Sequence, residues 1–284
     1  MMRRQASRRM SRSVVMVVFC LVGSISAAGC QMQERGTEKS RWISLFDGES
    51  LDGWTPKFAG HELGENYNDT FRVEDGLLTV SYDQYERFGN KFGHLFYTRR
   101  FFSHYRLRLE YRFIGDQVPE GPGWAFRNNG IMVHCQPPEG MAVNQNFPVS
   151  IEVQLLGGPG TGERSTGNLC TPGTNVVMDG ELVTQHCISS DSQTYHGDQW
   201  VTAEVEIHGS RLVRHIINGE IVMEYAEPQL DPRDADAKRL LDNPEVKQLL
   251  ENGEDLLIDF GYIALQAESH PTQFRNIEIL PLEP

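Results

Sequence analysis

The chain has 284 residues, 39% of them hydrophobic, and a formal charge of −13. That acidity argues against nucleic acid or an anionic membrane surface as partner and leaves neutral, cationic or metal-bearing ones. From Trp42 onward the length, about 240 residues, suits one large β domain.

Residues 1–29 read as an export signal. Arg3, Arg4, Arg8, Arg9 and Arg12 form a basic start without acids. Residues 14–25 are apolar but shorter than the ~20 residues of a bilayer span. Ser26, Ala27, Ala28 and Gly29 supply small residues for a signal peptidase. Because Cys30 follows directly, the pattern also fits a bacterial lipoprotein signal, in which Cys30 is lipidated; simple secretion is the alternative. Residues 30–40 are polar and read as a tether. Losing the five arginines with the leader takes the formal charge from −13 to −18. The expected location is the periplasm or cell surface, with membrane contact only through the lipid.

In the domain, residues 41–284, strand signals dominate. Residues 71–73 and 77–80 flank Glu74-Asp75-Gly76, a tight-turn sequence. Residues 105–113 alternate, with Tyr105, Leu107, Leu109, Tyr111 and Phe113 on one face and charged residues on the other, the mark of a half-buried strand. His134 stands two residues after Met132 on a further expected strand. In residues 150–158 (SIEVQLLGG), alternation puts Glu152 and Gln154 on one face. An acid and an amide facing the same way could grip a polar ligand or move a proton.

Cys170 and Cys187 bracket a loop rich in Pro, Gly, Thr and Asn. A disulfide between them would stabilise by about 3 kcal/mol in the chain-entropy picture. Cys135 would stay free and buried in a strand, and no CxxC pair supports zinc. Residues 200–207 alternate less strictly, and Asn218-Gly219 joins 211–217 to 220–225 as a hairpin. Asp231-Pro232 and Asn243-Pro244 each place a capping residue before proline, predicting two short helices at 235–241 and 245–250, an insertion spanning 231–253. Residues 261–265 and 274–280 close the domain. This pattern predicts an all-β, two-sheet jelly-roll sandwich with a short helical insertion. GxSxG, HExxH, P-loop and EF-hand patterns are absent.

Seven segments occur in one order: SLFDGESLDGW (44–54), FRVEDGLL (71–78), NNGIMVH (128–134), IEVQLLG (151–157), STGNL (165–169), VRHIINGEIVMEY (213–225) and QFRNIEI (273–279). Together they resemble the bacterial 3-keto-disaccharide hydrolases, described as 3-keto-glucoside 1,2-lyase/2-hydroxy-3-keto-glucal hydratases. The resemblance implies a concanavalin- or laminin-G-like sandwich with a sugar site on a concave sheet. It also implies an oligosaccharide or 3-keto-glycoside as ligand. The implied chemistry is C2-proton abstraction, expulsion of the C1 substituent and hydration, which requires a base, an acid and a stabiliser for the enolate. A divalent metal ion could be that stabiliser.

Glu152 is then the expected base or metal ligand and His134 an acid or base, although family members often carry arginine at the latter position. Gln154, Asn129, Arg127 and Trp124 are expected to bind substrate, with Asn128 and Phe126 beside them. Glu268 stands where members often have histidine and His270 two residues later, so either could take over that role. A non-catalytic glycan-binding module is the alternative.

Overall fold

The structure is a computed structural model that describes residues 41–244, 247–248 and 256–284. The leader, Cys30 and the tether lie outside the described residues, as does most of the second expected helix. In chain order the strands are β1 (Ile43–Ser44), β2 (Trp54–Phe58), β3 (Phe71–Glu74), β4 (Leu77–Val80), β5 (Gly93–Phe102), β6 (His104–Phe113), β7 (Asn128–Cys135), β8 (Ile151–Leu156) and β9 (Asn168–Cys170). They continue with β10 (Thr174–Met178), β11 (Glu181–Val183), β12 (Cys187–Ile188), β13 (Val201–His208), β14 (Val213–Ile217), β15 (Glu220–Leu230), β16 (Gly261–Ala267) and β17 (Thr272–Pro281).

They pair antiparallel into two sheets. One runs β11-β10-β15-β14-β13-β6-β17-β4-β3, with β1 beside β17; the other runs β12-β9-β8-β7-β16-β5-β2. This is the two-sheet sandwich that the strand pattern predicts.

Alternation decides what the layers share. Tyr105, Leu107, Leu109, Tyr111 and Phe113 of β6 are buried in one core with Ile131 and Val133 of β7, Val153 and Leu155 of β8, and Ile263 and Leu265 of β16. Each such side chain contributes roughly 1.5–3 kcal/mol on burial. On the other face of β6, Arg106 meets Glu204 at 2.8 Å and Arg108 meets Glu278 at 2.7 Å. Half-exposed pairs of this kind contribute about 0–1 kcal/mol each, so the apolar face sets the fold. Asp75 and Gly76, and likewise Asn218 and Gly219, all take positive φ, as the tightest hairpin turns require.

α1 (Ala235–Leu241) forms at the expected place, but its cap is Asp234, whose side chain accepts from the Asp236 and Ala237 amides at 2.8 and 2.9 Å. Asp231, the capping residue the sequence suggests, binds Arg233 instead. Among the described residues no helix is long and apolar enough to cross a membrane.

Candidate functional site

The outer face of the β8-β7-β16 strip is polar because the residues between its core positions are Glu152 and Gln154, Asn128 and Gly130, and Gln266. In register, Gly130 pairs with Gln154, Met132 with Glu152, and Gln154 with Asn168. Gly130 stands where two side chains converge. A Cβ there would lie 2.6 Å from Gln266 Oε1 and 2.7 Å from Glu152 Oε1, so only glycine leaves room for both.

Continuing the alternation past β16 brings Glu268 to the same side. Trp124, Asn128, Phe147, Glu152, Gln154 and Glu268 line one cleft of about 340 Å³, walled by Cys170 and Cys187. These two form the expected disulfide, and Cys135 is free and buried. Trp124 is 56% exposed and its ring stacks on Phe92, with centroids 5.9 Å apart and planes 7° from parallel. Arg164 fixes the loop beneath it by donating to the carbonyls of Phe126 at 2.6 Å, Gly157 at 2.8 Å and Trp124 at 3.3 Å. A flat, open indole above a polar floor suits a sugar ring, which is apolar on its faces and polar at its rim.

The floor is electrostatically primed. Glu152 and Glu268 are 6% and 2% exposed. Burial pushes the Glu152 carboxyl up to about 8, against a weak opposing pull from the Gln266 amide, which lies alongside without completing a hydrogen bond. Glu268 is raised well above the ordinary carboxylate range by burial and then by the charge of Glu152. Glu152 Oε1, Glu268 Oε2, Asn128 Oδ1 and both polar atoms of the Gln266 amide have no partner in the protein. Buried polar groups are partnered in more than about 90% of cases, so four such side chains at one place mark a site shaped for a ligand. Two carboxylates and two amide oxygens are the donor type a hard divalent cation accepts. However, among the described residues no three His, Cys, Asp or Glu side chains gather to hold a metal ion.

Other expected site residues fall elsewhere. His134 is buried and lines a separate, mainly apolar cavity with Phe260 and Tyr262. At His134 φ is +52°, and the β7–β16 register shifts between Tyr262 and Ala264, so counting by two from Met132 no longer gives the side-chain direction. Asn129 faces inward, donating to Gln266 O at 2.9 Å and accepting from Gly130 N at 2.8 Å. Arg127 pairs with Asp198 at 3.0 Å and is not part of the cleft lining. His270 is buried edge-on between Phe113 and Phe126 and is also absent from the lining. Burial, then the Arg127 charge, lowers its pKa to about 4.

Sequence reasoning missed Phe147, which lines the cleft, Gln266, whose amide converges with Glu152 over Gly130, and His94, which packs edge-on against Phe147 outside the lining. His94 pairs in register with Gln266 and with Lys57, and both its ring nitrogens are unpartnered. Burial and the nearby Lys57 charge lower its pKa to about 3. Residues 93–97 are buried on both faces, so no alternation marked His94 in the sequence.

A family model described as a 3-keto-alpha-glucoside-1,2-lyase-like domain matches residues 41–280. No curated protein matches the chain. Among solved structures, the chain is similar to a candidate glycosyl hydrolase from Parabacteroides distasonis, at 18% identity over 85% of this chain and 94% of that one, with a TM-score of 0.48. A carbohydrate binding module, CBM66, from Bacillus subtilis aligns at 9% identity over 80% and 95% of the two chains, with a TM-score of 0.40. A Bacillus subtilis protein of unknown function with a galectin-like fold aligns at 10% identity over 81% and 90%, with a TM-score of 0.45.

Proposed function

Because the chain belongs to the 3-keto-alpha-glucoside-1,2-lyase-like family, a carbohydrate-active group, we propose that it cleaves 3-keto-glycosides by elimination followed by hydration. The observation that carries this reading is the pair of buried carboxyls, Glu152 and Glu268, sharing a cleft with the unpartnered Asn128 amide oxygen and the exposed Trp124 indole.

A ketone at C3 acidifies the C2 hydrogen. Of the two carboxyls Glu152 ionises first, since Glu268 is held protonated by burial and by the Glu152 charge. Glu152 therefore takes the C2 proton as base. The electrons pass to the C3 oxygen as an enolate, which the Asn128 amide of the cleft lining can meet with its N–H groups. As the enolate collapses, the C1–O bond breaks and the departing oxygen takes its proton from Glu268. Addition of water at C1, with a proton returned to C2, completes a net hydrolysis. Two carboxyls pushed to different pKa values by burial and mutual charge are what an acid and base in one site require.

Export belongs to the same proposal. The basic and apolar leader, the small residues before Cys30 and the Cys170–Cys187 disulfide all suit an oxidising compartment outside the cytoplasm.

The test incubates the protein with 3-keto-trehalose and 3-keto-lactose, with and without added divalent cation, and follows products by mass spectrometry. Glucal formation or net hydrolysis is expected, reduced by about 10²–10⁴ in Glu152→Gln. Full activity in Glu152→Gln would remove Glu152 as the base. Sugar binding without turnover by the folded parent would leave a glycan-binding module in place of an enzyme.

A further inference from the structure

The cleft does not end at Glu152. Phe147, Pro172 and His186 line it and also line a second cleft of about 540 Å³, which runs on between the 144–147 loop and α1. We propose that this second cleft holds the leaving group and that the leaving group is an uncharged sugar; the inference rests on the lyase reading of the neighbouring site.

Its chemistry is that of a hydroxyl-binding surface. The amides of Asn144 and Asn146 are exposed and make no hydrogen bond among the described residues. Arg239 reaches in from α1, where one of its nitrogens donates to Gln145 Oε1 at 2.8 Å and pairs with Asp236 at 3.0 Å. Its remaining N–H groups, the amides and the His186 ring offer donors and acceptors in the mixture that sugar hydroxyls match.

Charge selects among sugars. Asp231, Asp234 and Asp236 line the cleft against one lining cation, Arg239, and Arg233 engages Asp231 from beside it. Counting all five groups leaves the surface acidic, so a uronate there would face net repulsion while a neutral sugar would not.

The test uses three substrates: methyl 3-keto-α-glucoside, a 3-keto-disaccharide whose second sugar is neutral, and one whose second sugar is a uronic acid. Thr184 stands exposed at the rim of the second cleft, so Thr184→Trp fills that space without touching the carboxyl pair. Expected is a loss of about tenfold or more in kcat/KM for the neutral disaccharide in Thr184→Trp, with the methyl glycoside unchanged. The parent should also prefer the neutral disaccharide over the uronate, by a margin that narrows with added salt. Equal effects of Thr184→Trp on both neutral substrates, or none on the disaccharide, or no discrimination against the uronate, would overturn the proposal. If the parent turns over none of the three, the lyase reading alone falls. Calorimetry with the neutral disaccharide then decides, and equal affinity for parent and Thr184→Trp overturns the second cleft as a sugar site.

Discussion

Gly130 is the residue on which the placement of Glu152 depends, although it carries no chemistry. Its missing side chain lets Glu152 and Gln266 approach over the strand, each within 2.7 Å of where a Cβ would stand. Gly130→Ala forces one of them aside, and inserting a methyl into packed space costs about 1–3 kcal/mol. The fold has other stabilising contacts in abundance, so circular dichroism should show an intact sheet. Turnover should fall by at least about 10²-fold, as for loss of a positioned general base. A fully active Gly130→Ala would mean that the Glu152–Gln266 approach does not matter. The sequence placed Glu152 and Gln154 on one face correctly because β8 alternates without interruption. It misdirected His134 because one left-handed residue breaks the count, and nothing in the NNGIMVH segment marks that residue. Gln266 escaped because its relevance depends on β16 lying against β7, a pairing between residues more than a hundred positions apart.

Among the elements, β9 and β12 form the wall most open to a decisive experiment. Cys170 pairs in register with Cys187 on one side and with Glu152 on the other, so the disulfide holds the edge of the sheet against β8. The bridged residues are 17 positions apart, and closing a loop of that order contributes about 3 kcal/mol. Replacing both cysteines with serine should lower the melting temperature by roughly 10 °C for a domain of this size. Because the wall borders the sugar rather than the proton transfers, KM should rise more than kcat falls. An unchanged melting curve in the double variant would show that the bridge adds nothing to stability. Element boundaries were largely legible, since turns such as Asn218-Gly219 and strands such as β6 carry strong local signals. β5 was not, although it is one of the longest strands and is paired on both sides, with β16 and β2. Its run of aromatic and aliphatic residues is buried on both faces near its start, which erases the alternation that would have identified it. The shift of the helix cap from Asp231 to Asp234 has a similar origin: the choice between two nearby acids was settled by Arg233, which holds Asp231.

At the scale of the molecule, buried histidines outside the cleft and the two carboxyls within it set opposite limits on stability with pH. Buried His94, His134, His215 and His270 are lowered to about 3, 4, 4 and 4, so the folded state prefers them neutral. An unfolded chain protonates histidine near pH 6.5, so each of these contributes a loss of stability as the pH falls from about 6.5 toward 4. Glu152 and Glu268 act in the other direction. Their carboxyls are raised in the fold, so the stability they favour is present below the ordinary glutamate pKa of about 4.3 and is lost as pH rises through their folded values. Above pH 6.5 the histidines no longer oppose that trend, so unfolding free energy should fall between pH 6.5 and 8, by of order a few kcal/mol. In Glu152→Gln combined with Glu268→Gln, this alkaline decline should vanish while the acid decline persists, and the double variant should be the more stable protein at pH 8. Urea titrations at pH 5, 6.5 and 8 measure both limbs. A parent whose stability is flat from pH 6.5 to 8, or a double variant that keeps the full decline, would show that the two carboxyls are not held protonated by the fold. The electrostatic ground for separating the base from the acid would then be gone.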